Sequence, residues 1–265
     1  MNKTELLDKY ARDGESRLLL ARVLDQQQRA DQRGIPTHTA FLSPAEQAMS
    51  ADLLMAAAPG QGVLHGGYAD AERKLWGFLP DWLDEDLWLA GEDCPLAALA
   101  VQVPKGAKLT HRDYLGSLMG LGITREKIGD ILIGETGAQV IVLRETLPIL
   151  LAQWEKAGRY PVTLTPLPLD QLTPTPGETK EVRATVASVR LDAVVSAGFS
   201  IPRSRAADLI RGGRVMVNHR PCEKADKVVE AGDVLTCRGL GKCVLTEIGG
   251  TSKRGRTILT LQRYL

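Results

Sequence analysis

The chain has 265 residues, 44% hydrophobic and 25% charged, which is ordinary for a globular protein with enough apolar content for more than one core. Net charge is only +1, yet residues 183–265 hold 15 Lys and Arg against 7 Asp and Glu, so a part at +8 is joined to a remainder at −7. No apolar run approaches the roughly 20 residues of a membrane span, and the charged N-terminal stretch lacks the apolar core and cleavage site of a signal peptide. The expectation is a cytoplasmic protein whose basic C-terminal part meets a polyanion.

In chain order, residues 1–34 predict helix, with Leu6, Leu7, Tyr10, Leu18, Leu19, Val23 and Leu24 on one face and a break near Gly14. Ser43, Pro44 and Glu46 open another helix over SPAEQAMSADLLMAAA, and Pro59-Gly60 closes it. Gly66-Gly67 breaks the chain, Leu75 to Leu79 predicts a strand, and an acidic loop with Trp82 and Trp88 follows. From Leu96 the pattern is strand (LAALAVQV), then helix (THRDYLGSLMGLG, capped by Thr110, with Leu115, Leu118 and Met119 inward). Next come strands KIGDILI and AQVIVL across Gly134–Gly137, a helix over TLPILLAQWEKAGRY, and the extended VTLTPLPL. This β-α-β-β-α-β order is the ferredoxin-like arrangement, a fold that hosts many functions.

Pro174, Pro176 and Gly177 mark a linker. The module after it predicts two small helices on a small, mostly antiparallel sheet. SVRLDAVVSAGFS places Leu191, Val194 and Val195 inward with Gly198 as its stop. IPRSRAADLIRGG has Pro202 in its first turn and Ala206, Leu209 and Ile210 as its buried stripe. RVMVN, VLTCR, CVLTEI and RTILTL are strands, the last two a hairpin across Gly249-Gly250 and SKRGR. The reading is α+β: a helical region over 1–60, a central ferredoxin-like domain over 61–170, a linker over 171–182 and a small α+β module over 183–265.

Arg203 and Arg205 fall where the second small helix begins. Cations there oppose the helix dipole by about 0.3–1 kcal/mol. The free N–H groups at such an end favour an anion, and a bound phosphate turns the arginines into an asset, because guanidinium meets phosphate bidentately. Arg211 and Arg214 extend the patch, so nucleic acid is the expected ligand. Asn218 shapes the turn after its strand and is a further RNA donor. Lys253, Arg254 and Arg256 on the hairpin tip are either RNA contacts or a solvated loop. Asp208 is spaced to pair with Arg205 or Arg211.

The stretch VRLDAVVSAGFSIPRSRAADLIRGGRVMVNHRPCEKADKVVEAGDVLTCRG resembles the RNA-binding domain named after small-subunit ribosomal protein S-four. The resemblance rests on Arg190-Leu191-Asp192, Arg203 to Arg205, Ala206 with Leu209-Ile210, Gly213 to Asn218, and Gly232-Asp233. That family usually has Ser or Thr where Pro202 stands, so Ser204, or Ser200 as a cap, is expected to supply the hydrogen bond. The position of Arg190 in the family implies RNA contact, against the alternative of pairing with a carboxylate.

Together with HGGYADAERKLWGFLPDW, GITREKIGDILI and RGLGKCVLTEIGGTSKRGRTILTLQRY, the chain is similar to the YlmH family of bacterial proteins over nearly all its length. Leu240 and Cys243 replace basic or aromatic residues of that family, leaving Arg238 and Lys242 to make that loop basic. The resemblance implies non-catalytic binding of structured RNA, through Arg190, Arg203, Ser204, Arg205, Arg211, Arg214, Asn218, Arg238, Lys242, Lys253, Arg254 and Arg256. It also implies association with the large ribosomal subunit, on ribosomal RNA or peptidyl-tRNA of stalled subunits, and a genomic link to cell division; the protein itself is expected to be a monomer.

Competing chemistries find less support. Arg190-Leu191-Asp192 also occurs in pseudouridine synthases, but only 73 residues follow Asp192, too few for their catalytic domain. His219, Cys222, Cys237 and Cys243 fit no common zinc spacing, so reduced thiols and no metal are expected. No Walker lysine and no H-E-x-x-H occur, and no cofactor is expected. The central strands lack the stacking aromatics of an RRM. Arg125 and Lys127 are either RNA contacts or surface charge, and His65–Tyr68 is expected as a structural hinge. The alternatives are an RNA-modifying enzyme with an N-terminal site and a cell-division-linked scaffold.

Overall fold

The computed structural model describes residues 2–175, 177–252 and 255–264. Among them no helix is long and apolar enough to cross a membrane. Two units, Met1–Thr175 and Pro176–Leu265, each hold their own core.

The first unit opens with α1 (Lys3–Tyr10) and α2 (Gly14–Arg33). The break near Gly14 is a true helix start, because Asp13 caps α2 by accepting from the Ser16 N–H at 2.8 Å. Strand β1 (Thr37–His38) follows, then α3 (Pro44–Ala57), whose Glu46 carboxylate accepts from the Ser43 N–H at 2.6 Å. Strands β2 (Val63–His65) and β3 (Leu75–Phe78) join β1 in a small antiparallel sheet, ahead of α4 (Glu85–Ala90). The first 60 residues therefore pair with residues beyond them: Thr37 sits opposite Phe78.

The central elements are β4 (Leu96–Gln102), α5 (His111–Gly120), β5 (Ile128–Gly134), β6 (Gly137–Leu143), α6 (Leu147–Gln153), β7 (Lys156–Ala157), β8 (Tyr160–Pro161) and β9 (Thr163–Leu167). The main sheet runs β5-β6-β4-β9, all antiparallel, which is the ferredoxin-like order. Two expectations are corrected. Tyr114 and Leu118, four apart, define the inner face of α5, and Met119, a third of a turn round, is 51% exposed. The second helix stops at Gln153: the Trp154 indole donates to Ser117 Oγ at 3.0 Å, and residues 156–161 turn back at Gly158, φ 55°, as a two-stranded hairpin.

Both faces of this sheet are covered. Leu99, Val101, Val140 and Val142 pack with Leu118, Leu150 and Trp154 from α5 and the end of α6. On the other face Leu96, Ile141 and Leu143 pack with Phe41, Leu75 and Trp88, joined by Leu169 and Leu172. The open sheet face on which RRM-type domains stack bases is thus filled by the N-terminal region.

The second unit begins with β10 (Thr179–Val186), although residues 179–182 were expected in the linker. Eight residues of β10 pair with the last strand, Thr179 opposite Tyr264 and Val186 opposite Thr257. Then come α7 (Leu191–Phe199), α8 (Arg203–Arg211), β11 (Val215–Val217), β12 (Arg220–Pro221), β13 (Val234–Cys237), β14 (Gly241–Thr251) and β15 (Thr257–Tyr264). The antiparallel sheet is ordered β10-β15-β14-β13-β11-β12. Gly198 does not stop α7. It lies within the helix against Cys243, where a Cβ would come 2.8 Å from Sγ, and the helix closes two residues later at Ser200 in the left-handed region, φ 55°. Ala206 and Ile210 of α8 are fully buried, while Leu209 packs at the margin of the core.

Candidate nucleic-acid interface

Helix α8 begins immediately after Pro202, and no side chain caps it. Its first N–H groups are left for an outside acceptor, which favours an anion at this end. Ser204 does not replace the missing cap: its hydroxyl is exposed and makes no hydrogen bond among the described residues. Ser200 closes α7 through its left-handed backbone, and its hydroxyl makes no hydrogen bond among the described residues.

The charge conflict at this end is resolved by Asp192 in the first turn of α7. Its Oδ2 accepts from Arg203 Nε at 2.9 Å and its Oδ1 from Arg203 Nη2 at 3.2 Å. Arg190 Nε approaches the same carboxylate at 3.5 Å, and the Ala193 N–H donates to it at 2.9 Å. Burial opposes ionisation of Asp192, but the Arg203 hydrogen bonds and the charges of Arg203 and then Arg190 outweigh it and hold the carboxyl below its ordinary range. The Asp192 side chain is 9% exposed, while Arg203 and Arg190 remain 52% and 42% exposed. One buried carboxylate thus orients two guanidinium groups that still face solvent.

The other arginines form a second group. Arg214 Nη2 donates to the Arg238 carbonyl at 3.1 Å. Burial pushes the Cys237 thiol up, against the pull of the Arg214 and then the Arg205 charge. Arg205 and Arg238 make no side-chain hydrogen bond or ion pair among the described residues. Arg211, at the last turn of α8, pairs with Asp208 at 3.3 Å, both side chains mostly exposed. Lys242, opposite Thr236 on β14, lies 4.2 Å over the Tyr264 ring.

Two predicted residues stand apart. Asn218 has φ 50°, its Nδ2 donates to Asp233 Oδ1 at 2.7 Å and its Oδ1 accepts from the Val234 N–H at 2.9 Å, so it clasps the turn to β13. Arg256 donates to the Thr185 carbonyl at 2.6 Å, at the opposite end of the hairpin from Lys242, roughly 25 Å away by strand rise. Lys253 and Arg254 lie outside the described residues.

The N-terminal candidates are engaged structurally. Asp130 on β5 accepts from Tyr68 Oη at 2.9 Å and from the N–H groups of Glu72 and Arg73 at 2.7 and 3.0 Å. The 66–73 loop is thereby fastened to the sheet where a hinge was expected. Arg125 donates to the carbonyls of Ile128 and Gly129, with burial first and then the Arg73 charge lowering its pKa to about 10, and Lys127 pairs with Glu145 at 2.9 Å. The four cysteines are free, and burial pushes the Cys243 thiol up to about 12. Among the described residues no three His, Cys, Asp or Glu gather as a metal site.

The sequence reading missed Asp192 as the organiser of Arg203 and Arg190. Its only trace in the sequence is an aspartate after Arg-Leu, eleven residues before an arginine at a helix start.

Three family models match in succession: "YlmH, N-terminal" over residues 15–77, "Putative RNA-binding domain in YlmH" over 91–171 and "S4 domain" over 189–235. The chain is 36% identical over 231 residues to the "Ribosome-associated protein quality control protein P2" of Bacillus subtilis (strain 168), covering 85% of this chain and 86% of the relative. A solved structure, "Cell division protein ylmH from Streptococcus pneumoniae", is similar at 23% identity with a TM-score of 0.49, over 61% of this chain and 97% of that one. The consecutive models and the relative aligned along most of both lengths make this chain a member of the YlmH family.

Proposed function

We propose that this protein is a non-catalytic, ribosome-associated binder of structured RNA that works as a monomer in the cytoplasm. The observation that carries the reading is the start of α8, where no side chain caps the helix, flanked by Arg203 and Arg190 on their shared Asp192 and by the exposed Arg205. Phosphate is the ligand this arrangement suits. Ser204, Arg211, Arg214, Arg238 and Lys242 extend the contact, with Asn218 holding the adjoining turn; Arg256, Lys253 and Arg254 form a second contact on the hairpin. The covered central sheet supports recognition by backbone and shape over base stacking. The relative's name supports a ribosomal setting, and the family resemblance points to large-subunit ribosomal RNA with peptidyl-tRNA.

Charge reversal of Arg203 is a poor test, because it sets a second carboxylate against Asp192. Arg205→Glu/Arg211→Glu breaks only the Arg211–Asp208 pair, whose side chains are both mostly exposed and screened by solvent. Titration of this variant with a large-subunit RNA fragment across a salt series should show weaker binding and a log–log salt slope smaller by about 2. An unchanged slope would remove α8 from the interface.

A further inference from the structure

We propose that a groove on the first unit docks a Lys/Arg-rich segment of a partner protein, anchored on Trp82. The groove, about 750 Å³, lies between the end of α2, the turn at residues 60–62 and the stretch 79–85. Its lining is apolar at Val63, Phe78, Leu79 and Leu83. Trp82 stands at this groove with its indole N–H donating to the Gly34 carbonyl at 3.3 Å, yet 66% of the residue is exposed. Ile35, next to Gly34, and Leu87, on α4, are 44% and 60% exposed. A hydrogen-bonded indole has already lost much of its side-chain freedom, which lowers the cost of binding. Tryptophan in such a setting is a frequent binding anchor.

Charge decides the occupant. Asp31, Asp81, Asp84 and Glu85 line the groove, and no Lys or Arg does. Asp84 caps α4, accepting from the Leu87 N–H at 2.8 Å. Asp31, Asp81 and Glu85 form no ion pair among the described residues. Such a surface repels phosphate, so RNA is disfavoured here whatever the second unit binds. A segment that gains from both the groove and its rim carries an apolar side chain for the floor and guanidinium or ammonium groups for the carboxylates and the indole face. This inference stands apart from the RNA reading.

The test uses the full chain and a fluorescein-labelled synthetic peptide that alternates Lys/Arg pairs with Leu, read by anisotropy. Control peptides replace Leu by Ser or the basic residues by Glu, and a labelled RNA hairpin is measured separately. The Leu-bearing basic peptide is expected to bind, with Trp82→Ala weakening it about tenfold or more. Asp81→Asn/Glu85→Gln should weaken it and flatten its salt dependence, and Arg205→Glu/Arg211→Glu should leave it unchanged. Equal binding of the Ser peptide, or no effect of Trp82→Ala, would overturn the proposal. Loss of RNA hairpin binding in Trp82→Ala would make RNA the occupant, and self-association of the wild type abolished by that variant would make it a second copy.

Discussion

Asp192 and Arg203 join the first turn of α7 to the first residue of α8 through two hydrogen bonds, Oδ2 to Nε at 2.9 Å and Oδ1 to Nη2 at 3.2 Å. A cation at a helix N-terminus is unfavourable on its own, and this carboxylate offsets it. Because the pair is buried on the aspartate side only, the guanidinium keeps a solvent face for a ligand.

Asp192→Asn should therefore destabilise the second unit by about 1–3 kcal/mol, since it removes charge-assisted bonds and leaves two arginines without their shared counter-ion. Urea unfolding measures this. RNA affinity should fall less than in Arg205→Glu/Arg211→Glu, because Arg203 and Arg190 remain present though less well oriented. A midpoint equal to wild type would mean that the ion pair does not organise the helix junction.

The same carboxylate sets an acid limb. Its pKa is held below the unfolded value of about 3.9. A depressed carboxyl binds fewer protons folded than unfolded, so its contribution is present above the unfolded pKa and is lost as pH falls through the folded one. Unfolding free energy followed from roughly pH 5 to pH 2 should fall more steeply in wild type than in Asp192→Asn, the curves converging at the acid end. Parallel curves would contradict the assignment.

Asp130 makes the corresponding prediction for the first unit. It accepts three hydrogen bonds from the 66–73 loop, so Asp130→Ala leaves the Tyr68 hydroxyl and two N–H groups without their acceptor. A loss of about 2–4 kcal/mol is expected, together with proteolytic cleavage near Gly66-Gly67, while the salt slope of RNA binding stays unchanged. Retained protease resistance would mean that the loop is held by packing alone.

Gly198→Ala separates two views of one residue. Alanine in a helix ordinarily gains up to about 1 kcal/mol over glycine. Here the new Cβ would lie 2.8 Å from Cys243 Sγ and 3.2 Å from Leu261 Cδ2. The variant should instead lose about 1–3 kcal/mol in thermal or urea unfolding. A stabilised variant would show that α7 and β14 separate at little cost.

The central fold was legible because its strands alternate or run apolar with clear turn residues, as in LAALAVQV and AQVIVL across Gly134–Gly137. The β7–β8 hairpin was hidden by a helical run that continues into Trp154. Strand β10 was hidden because TKEVR is polar and follows Pro174 and Gly177; its apolar Val182, Ala184 and Val186 are recognisable only once β15 is beside them. In the candidate interface, arginine clustering at a helix start was readable, but the Asp192 clasp depends on how α7 and α8 pack. The filled second face of the central sheet depends likewise on the N-terminal elements folding over it, which no local pattern in β4 or β6 reveals.

The most direct test is sedimentation of the wild type and Arg205→Glu/Arg211→Glu with ribosomal subunits in lysate, with folding of both checked by thermal melts. The wild type should travel with the large subunit and the variant remain at the top of the gradient. If both remain at the top, or both travel, the S4 domain is not the ribosomal anchor.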